Sequence, residues 1–432
     1  MRSEVDSGLD RAKTLTADLL SKLLPEDRAF AVRLWDGTVL QPRHESPRAT
    51  LVLTRSEAPG HILQPPLDLA LGEAYLRGDI DIEGDFDAVL ELIETVGPRL
   101  SPLDWAQVAS QAAALRRHAD LEPIPLAASL RGRRHTAVRD KDAIQYHYDV
   151  SNEFYQLWLD QRMVYSCAYF ASGDETLDEA QEAKLELICR KLRLKPGDRL
   201  LDIGAGWGAL VIYAAQKWGA EGLGITLAER QLEEARARIE AAGLADKVGF
   251  ELQDYRDVSG EYDKVASIGM AEHVGRENHE TYFRSAYQSL KPGGLMLNHA
   301  ISRGPRAPNM SSKVVSGEFT QRYIFPDGEI LPLWESLKAA ESVGFEVRDV
   351  EDLREHYAKT LRHWADNLEA NWEAAVDQVG VTLARLRRLM MRTAAFHFDR
   401  GHVAVHQALL AKPDRLGRVP LPPSRADVYR TA

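Results

Sequence analysis

The sequence predicts an α/β protein with a doubly wound, mainly parallel sheet, a smaller amino-terminal α+β module and helical additions at the carboxyl end. Three observations support this prediction. From residue 143 onward, apolar strands alternate with helical runs, and the strand centres lie near Leu201, Ile225, Phe250, Ala266 and Leu297. Such alternation is typical of a parallel sheet covered by helices on both faces. Short strands precede this region, and mostly helical segments follow residue 328.

The first 115 residues are expected to form the amino-terminal module. Residues 15–24 predict an amphipathic helix, and residues 30–35 and 50–54 predict two strands. Residues 67–75 and 86–93 predict two further helices. Because the module holds no acid–base or metal-ligand constellation, packing is its default role, and lipid association is the alternative.

A basic connector, residues 116–142, separates this module from the catalytic region, residues 143–432. Two prolines interrupt the connector, whose cations are Arg116, Arg117, Arg131, Arg133, Arg134, Arg139 and Lys141. A charge run of this kind is usually a solvated face. In an acidic chain it is also a candidate contact for anionic lipid headgroups, at about 1 kcal/mol for each well-placed charge.

Composition excludes several classes of protein. The chain has 432 residues, which favours two domains, and its 44% hydrophobic content is ordinary for a globular protein. The net charge of −11 argues against a general nucleic-acid binder. The two cysteines, Cys167 and Cys189, indicate neither a disulfide framework nor a metal site. No stretch approaches the roughly 20 apolar residues that span a bilayer, and no signal peptide is evident, so we expect a cytoplasmic protein with at most peripheral membrane contact.

The most informative stretch is residues 200–208 (LLDIGAGWG), where an apolar strand enters a loop with glycine at every second position. Glycines let the backbone approach a ligand closely, and the helix that follows adds free N–H groups. An α/β protein binds a nucleotide-like cofactor in this way. The loop alone is ambiguous, because Gly204, Gly206 and Ala209 also satisfy the dinucleotide fingerprint.

Three downstream features favour S-adenosylmethionine. The next strand ends in Thr226, where an NAD site would have an acid. Residues 253–256 (QDYR) follow a third strand, and residues 290–294 (LKPGG) lead into a fifth. This order resembles that of the class I methyltransferases. An α/β sheet that binds another nucleotide is the alternative.

Four more motifs lie in the catalytic region: residues 147–155 (HYDVSNEFY), 165–170 (YSCAYF), 269–275 (GMAEHVG) and 323–328 (YIFPDG). With the glycine loop, they resemble the cyclopropane-fatty-acyl-phospholipid synthase family, which includes the mycolic-acid cyclopropane synthases. Residues 72–79 (GEAYLRGD) are similar to the amino-terminal module of its longer bacterial members. The chain departs from the family loop at Ala205, where cysteine is frequent. The resemblance implies a Rossmann-like methyltransferase sheet.

The resemblance also implies an activity. A methylene group from S-adenosylmethionine would be added to the cis double bond of unsaturated acyl chains in membrane phospholipids. A carbocation would form, and bound bicarbonate would remove a proton as the cyclopropane ring closes. The alternatives are a fatty-acyl methyltransferase giving a methylene- or methyl-branched chain, and a non-enzymatic lipid-binding protein. We expect peripheral contact with the inner face of the membrane, no nucleic-acid partner, and a homodimer as a candidate assembly.

The family's bicarbonate site corresponds to five residues of this chain: Glu272, His299, Tyr357, Cys167 and Ile301. Glu272 would accept a proton-bearing bond from bicarbonate, whereas His299 and Tyr357 would donate hydrogen bonds to it. A carboxylate beside an anion must share a proton with it, so the cluster is expected to titrate as a unit. The alternatives are a surface acid for Glu272, a core histidine for His299 and a packing tyrosine for Tyr357.

The resemblance assigns eight residues to the cofactor site. For one of them, Gln231, the alternative interpretation is an exposed residue at the start of a helix. The eight residues are Tyr165, Ser166, Gly204, Gly206, Thr226, Gln231, Gln253 and Tyr255. A second group of aromatic residues is a candidate lining for an acyl tunnel, in which ring faces would stabilise cationic species. These residues are Tyr169, Phe170, Tyr282, Phe283 and Trp364.

Overall fold

The computed structural model describes residues 2–43, 46–92, 101–115, 121, 124–127, 134–136, 139, 150–306 and 317–429. These residues form two compact units. Unit 1 comprises Met1–Ala127, Gly317–Tyr323 and Gly380–Phe396, and unit 2 comprises Ala128–Ser316, Ile324–Val379 and His397–Ala432. The expected boundary within residues 116–142 stays a prediction, since most of these residues lie outside the described chain.

Unit 1 is built on a four-stranded sheet. The strands are β1 (Phe30–Arg33), β2 (Val39–Leu40), β3 (Ala49–Leu53) and β4 (Ile80–Gly84). Their order is β2-β1-β3-β4, in which β1 and β3 are parallel and the other neighbours are antiparallel. Its helices are Arg2–Leu23, Ala58–Ile62, Leu67–Arg77, Phe86–Leu90, Pro102–Leu115 and Glu318–Tyr323. The predicted strands and helices are present, but the first helix begins at Arg2 rather than near residue 15.

The motif at residues 72–79 packs against a later segment of unit 1. A Cβ atom on Gly72 would lie 2.2 Å from the ring of Phe319, so only glycine leaves room for this ring. The neighbouring Glu73 accepts a hydrogen bond of 2.7 Å from the hydroxyl of Tyr323. Packing within unit 1 therefore explains why the motif begins with glycine and glutamate.

Unit 2 contains a seven-stranded sheet with the order β10-β11-β9-β8-β5-β6-β7. Strands β5 to β9 run parallel, whereas β11 is antiparallel to both β9 and β10. The strands are β5 (Arg199–Ile203), β6 (Glu221–Thr226), β7 (Val248–Leu252), β8 (Tyr262–Ile268), β9 (Leu290–Arg303), β10 (Glu346–Asp352) and β11 (Val403–Ala411). The sequence prediction located the five parallel strands but missed β10 and β11. A short apolar run such as β11 cannot be distinguished from a buried helix by periodicity alone.

Helices cover both faces of this sheet. Leu200 packs in one hydrophobic cluster with Ile188 and Leu210, and the adjacent Leu201 packs in the opposite cluster with Phe283. Successive side chains of a strand point to opposite faces, so the doubly wound architecture is confirmed. The helices are Asn152–Gln156, Leu177–Leu192, Ala209–Trp218, Glu229–Ala241, His279–Ser289, Leu333–Ser342, Arg354–Ala370, Trp372–Asp399 (interrupted at Gly380 and shared with unit 1) and Ala426–Tyr429.

The strand register brings the carboxyl ends of the parallel strands to one edge. Ile203 pairs with Ile225 on β6 and with Ser267 on β8, and Ile268 pairs with His299 on β9. In open α/β sheets, ligands bind at this edge. Within the described ranges, the helices are too short or too polar to cross a membrane.

Candidate active site

The glycine loop follows β5 at the carboxyl edge. Gly204, Gly206 and Gly208 have φ values of 77°, 55° and 83°, a backbone region that favours glycine. The backbone nitrogen of Gly204 donates to the carbonyl of Ile225 at 3.0 Å, which ties the loop to β6. A Cβ atom on Gly206 would meet no protein atom within 4 Å. The loop therefore presents a bare backbone to open space.

That space is a cavity of about 1140 Å³, including the volume open to solvent. Its lining brings together all eight residues expected at the cofactor site: Tyr165, Ser166, Gly204, Gly206, Thr226, Gln231, Gln253 and Tyr255. The sequence analysis did not assign other polar and aromatic lining residues to the cofactor site, including Lys184, Asp202, Trp207 and His273. Asp202 precedes the glycine loop by two positions, and that proximity was the available signal. Burial raises the pKa of Asp202 to about 7.

Thr226 and Gln231 form a hydrogen-bonded pair in the cavity wall. The hydroxyl of Thr226 donates to Oε1 of Gln231 at 2.8 Å, and each residue is 5% exposed. The alternative of an exposed helix start for Gln231 is therefore wrong. The carbonyl of Thr226 also accepts from the backbone nitrogen of Gln253 at 3.0 Å. The ends of β6 and β7 are thus held together beside the cavity.

A group of packed aromatic rings also supports the cavity wall. The ring of Tyr165 lies 5.2 Å from Trp364 and 5.6 Å from Tyr155, which lies 4.9 Å from Trp207. Nε1 of Trp207 donates to the side chain of Asn152 at 2.9 Å. The described part of the motif at residues 147–155 thus anchors the glycine loop, while residues 147–149 lie outside the described chain.

None of the five aromatic residues expected in an acyl tunnel lines this cavity in the described structure. Tyr282 and Phe283 belong to a buried core cluster, and the hydroxyl of Tyr282 donates to Asn298 at 2.7 Å. Tyr169 stacks on His356 at 4.9 Å. Within the contacts described, two of the five have their rings against residues that line the cavity: Trp364 packs against Tyr165, and Tyr282 lies 5.6 Å from Tyr255.

Glu272 lies in the short helix Ala271–His273 that follows β8. Its Oε1 accepts a hydrogen bond of 2.5 Å from the backbone nitrogen of Ile301. Its Oε2 is buried and has no hydrogen-bond partner among the described residues. Burial raises the pKa of Glu272 to about 7, and the bond from Ile301 partly opposes the rise. The alternative of a surface acid is therefore wrong.

Glu272 does not line the cofactor cavity. It borders a second, smaller cavity of about 460 Å³, whereas Met270 and His273, on either side of it, line the first. Of the predicted catalytic set, Glu272 and Ile301 border this second cavity, whereas Cys167, His299 and Tyr357 line neither of the two cavities.

His299 is 2% exposed on β9. Its Nδ1 lies 3.2 Å from Nε2 of Gln407, and its own Nε2 is buried with no partner in the described chain. Burial lowers the pKa of His299 well below its usual value, so the ring is neutral. With the Gln407 amide in this orientation, Nδ1 accepts and the ring proton lies on Nε2. His299 thus holds an unused donor.

Hydrogen bonds and strand pairing connect the remaining catalytic candidates. Ile301 pairs with Val405 on β11, whose carbonyl accepts from the backbone nitrogen of Leu353 at 2.8 Å. The carbonyl of Leu353 in turn accepts from Sγ of Cys167 at 3.7 Å and from the backbone nitrogen of Tyr357 at 3.0 Å. These links connect Glu272, Ile301, Cys167 and Tyr357, and His299 lies two positions before Ile301 on β9.

Cys167 and Tyr357 differ in environment. Cys167 is 0% exposed, and burial raises the pKa of its thiol far above the usual range. The thiol is therefore protonated and a poor nucleophile. The half-buried ring of Tyr357 lies 4.7 Å from Phe398 and 6.0 Å from Trp364. Tyr357 thus packs with aromatic neighbours at the start of its helix.

Two cations of the basic connector lie in the described chain, and both pair with Asp327 of the motif at residues 323–328. Arg139 is 15% exposed and donates two hydrogen bonds to the carboxylate. Arg134 is 67% exposed and lies 3.2 Å from the same carboxylate. A fully solvated face is therefore the wrong description of Arg139.

The donors and acceptors of the group fit a small oxyanion. Nε2–H of His299 can donate to one, and Glu272 can share a proton with one through Oε2. Buried polar atoms are usually hydrogen-bonded, so both atoms are candidates for contacts with a ligand. The cofactor cavity likewise fits a nucleoside ligand, because its bare glycine backbone faces polar side chains.

Comparisons with known proteins agree with this geometry. Residues 135–408 match the family model described as mycolic acid cyclopropane synthetase, and residues 17–96 match a domain of unknown function. A Pseudomonas putida protein named "Probable fatty acid methyltransferase" is 40% identical over 92% of this chain and 96% of its own. The cyclopropane-fatty-acyl-phospholipid synthase of Escherichia coli K12 is 35% identical over 62% of this chain and 66% of its own.

Among solved structures, the mycolic acid cyclopropane synthase CmaA1 complexed with SAH and CTAB has a TM-score of 0.61 at 32% identity. The match covers 63% of this chain and 98% of that protein. It supports both the predicted fold and the use of S-adenosylmethionine. The chain therefore belongs to the mycolic acid cyclopropane synthetase family and is an S-adenosylmethionine-dependent methyltransferase.

Proposed function

We propose that this methyltransferase acts on the cis double bonds of unsaturated acyl chains in membrane phospholipids and converts them into cyclopropane rings. One observation carries the proposal. Among the described residues, Oε2 of Glu272 and Nε2 of His299 are buried without partners, and the bond from Ile301 ties Glu272 to β9, the strand that carries His299 beside the cofactor cavity. Similarity to the Escherichia coli cyclopropane-fatty-acyl-phospholipid synthase supports phospholipid acyl chains as the substrate.

Ring formation requires a proton acceptor. A methyl group brings three hydrogens and the ring carbon keeps two, so one proton must leave the added carbon. S-adenosylmethionine, when bound, supplies the activated methyl group. Bicarbonate, when bound, supplies a proton acceptor without placing a strong protein base beside a sulfonium. The protonated thiol of Cys167 fits this requirement, since it offers the sulfonium no thiolate to alkylate.

Glu272 and His299 would hold bicarbonate in complementary ways. His299 donates from Nε2, because Gln407 occupies Nδ1. Glu272 shares a proton through Oε2, and a pKa of about 7 allows that proton to be present at neutral pH. The backbone of Ile301 holds Oε1 and so fixes the plane of the carboxyl group. The acid and the anion then titrate together.

The substrate implies where the protein works. Phospholipid acyl chains lie within the bilayer, so we infer peripheral contact with the cytoplasmic face of the membrane. Arg139 is already paired with Asp327 and buried, so it is a poor candidate for headgroup contact. Arg134 is exposed and remains a better one.

A fatty-acyl methyltransferase that leaves a methylene- or methyl-branched chain is the second candidate. The similarity to the Pseudomonas putida protein favours it, because that match spans both units of this chain. The two candidates share cofactor and substrate class, and they differ in what becomes of the cationic acyl chain.

Expression in a bacterial host that lacks cyclopropane lipids separates the candidates. We expect mass spectrometry of the host's fatty acids to show the addition of one CH₂ unit, and proton NMR to show the upfield ring protons of a cyclopropane. A methylene branch has the same mass but gives alkene protons, and a methyl branch carries two further hydrogens. Either branched product contradicts ring formation. Cells expressing Gly206→Val serve as the control without cofactor binding.

A further inference from the structure

Lys184 is a buried cation in the wall of the cofactor cavity. It lies on the helix Leu177–Leu192, is 1% exposed, and donates from Nζ to Oγ of Ser166 at 2.9 Å. Lysine is almost never fully buried unless it is paired. A lysine in this position therefore needs an explanation.

Within the described chain, no carboxylate lies within ion-pair distance of Lys184, and Ser166 is its one hydrogen-bond acceptor. Two of its three N–H donors therefore have no acceptor among the described residues. Lys191, on the same helix, shows the usual solution, since it is equally buried and forms an ion pair with Glu351. The contrast suggests that Lys184 is left for a ligand.

The charges around Lys184 indicate the chemistry of that ligand. The carboxylates of Asp160 and Asp202 favour the charged form of Lys184, but neither is close enough to form an ion pair with it. Burial lowers the pKa of Lys184 to about 8, so it remains mostly charged at neutral pH. The second cation of the cavity wall, Arg256, is engaged with Asp254 at 2.8 Å. Lys184 is thus the better placed of the two cations to receive an anionic group.

We propose that Lys184 receives the carboxylate of the amino-acid end of S-adenosylmethionine and, through Ser166, positions this end of the cavity. The proposal rests on use of this cofactor and not on the nature of the lipid product. An ammonium with two free donors suits a carboxylate, and such a charge-assisted hydrogen bond is stronger than a neutral one.

The test compares two cofactors that differ in one group. S-adenosylmethionine and its decarboxylated form share the nucleoside, sulfonium and amine, and only the first has the carboxylate. Binding of each is measured by calorimetry, in bicarbonate-free buffer, to the wild type and to Lys184→Met. We expect the wild type to prefer S-adenosylmethionine by about 10- to 100-fold, the range for a hydrogen bond to a charged group. Lys184→Met should lose most of this preference and still bind the decarboxylated form.

Two controls keep the result interpretable. Lys191→Met removes a buried lysine from the same helix and should retain the preference. Lys184→Gln, which keeps a polar head, replaces Lys184→Met if that variant does not fold. A wild type that binds both cofactors equally overturns the proposal without any variant. Two results for Lys184→Met would also overturn it. Equal loss of affinity for both cofactors would show that the lysine is structural. Loss of affinity only when bicarbonate is added would show that the lysine binds that anion.

Discussion

The side-chain nitrogen of Gln407 lies 3.2 Å from Nδ1 of His299, and both side chains are buried. The contact joins β11 to β9 across 108 positions of sequence. With the amide nitrogen on this side, Nδ1 accepts the bond and the ring proton lies on the opposite nitrogen, which has no partner among the described residues. Gln407 is thus a positioning residue for the proposed anion site.

Gln407→Met removes this donor and keeps a similar volume. We expect turnover to fall by about 10-fold, the lower end of the range found when the hydrogen-bond partner of a metal-bound histidine is removed. The dissociation constant of S-adenosylmethionine should change little, since Gln407 does not line the cofactor cavity. Steady-state kinetics and calorimetry measure the two effects. Unchanged turnover would show that the tautomer of His299 does not matter.

Gly206→Val tests the cofactor loop. The new side chain would point into the cavity, where no protein atom lies within 4 Å, so we expect it to occupy cofactor space and abolish binding. The positive φ also costs about 1–2 kcal/mol of stability. Gly417→Val is a matched control, because Gly417 has a φ of 73° with open space and lies outside the cavity lining. Calorimetry should show lost binding in the first variant only, and retained binding there would remove the loop from the site.

Burial of Glu272 predicts a pH-dependent stability. Its pKa rises from 4.5 to about 7 on folding, so the folded state holds the proton more tightly than the unfolded state. Its ionisation therefore destabilises the wild type as pH rises through this window, by up to about 3 kcal/mol. Glu272→Gln cannot ionise, so its stability relative to the wild type should be higher at about pH 8 than at about pH 5. Urea unfolding at both pH values measures this, and an equal difference at both would contradict the burial of the charge.

Gly72→Ala tests the packing of unit 1. The added Cβ would lie 2.2 Å from the ring of Phe319, so we expect destabilisation of about 1–3 kcal/mol, the usual range for overpacking. Phe319→Ala in the same chain removes the clash and should make Gly72→Ala nearly neutral. Thermal unfolding of the two single variants and the double variant completes the cycle. Additive effects would show that the two residues are not in contact.

The local parts of the site could be predicted from sequence, and the long-range parts could not. The glycine loop and the ends of the parallel strands follow from local pattern, since strand, glycine and helix lie within about twenty positions. Gln407 depends on strand β11, which the apolar pattern did not reveal, and on its pairing with β9. Lys184 was missed because a lysine within a charged helix normally indicates an exposed face. Asp202 was missed although it lies beside the loop, because its burial depends on the surrounding sheet.

The central claim is that Glu272 and His299 hold an anion that accepts the proton released during ring closure. Turnover of the wild type and of Glu272→Gln, measured with and without bicarbonate in rigorously degassed buffer, tests it most directly. We expect bicarbonate removal to slow the wild type strongly, and Glu272→Gln to be slower by about 100-fold or more and nearly indifferent to bicarbonate. Cofactor affinity should stay the same in both. A wild type indifferent to bicarbonate, together with a Glu272→Gln of near full activity, would contradict the account.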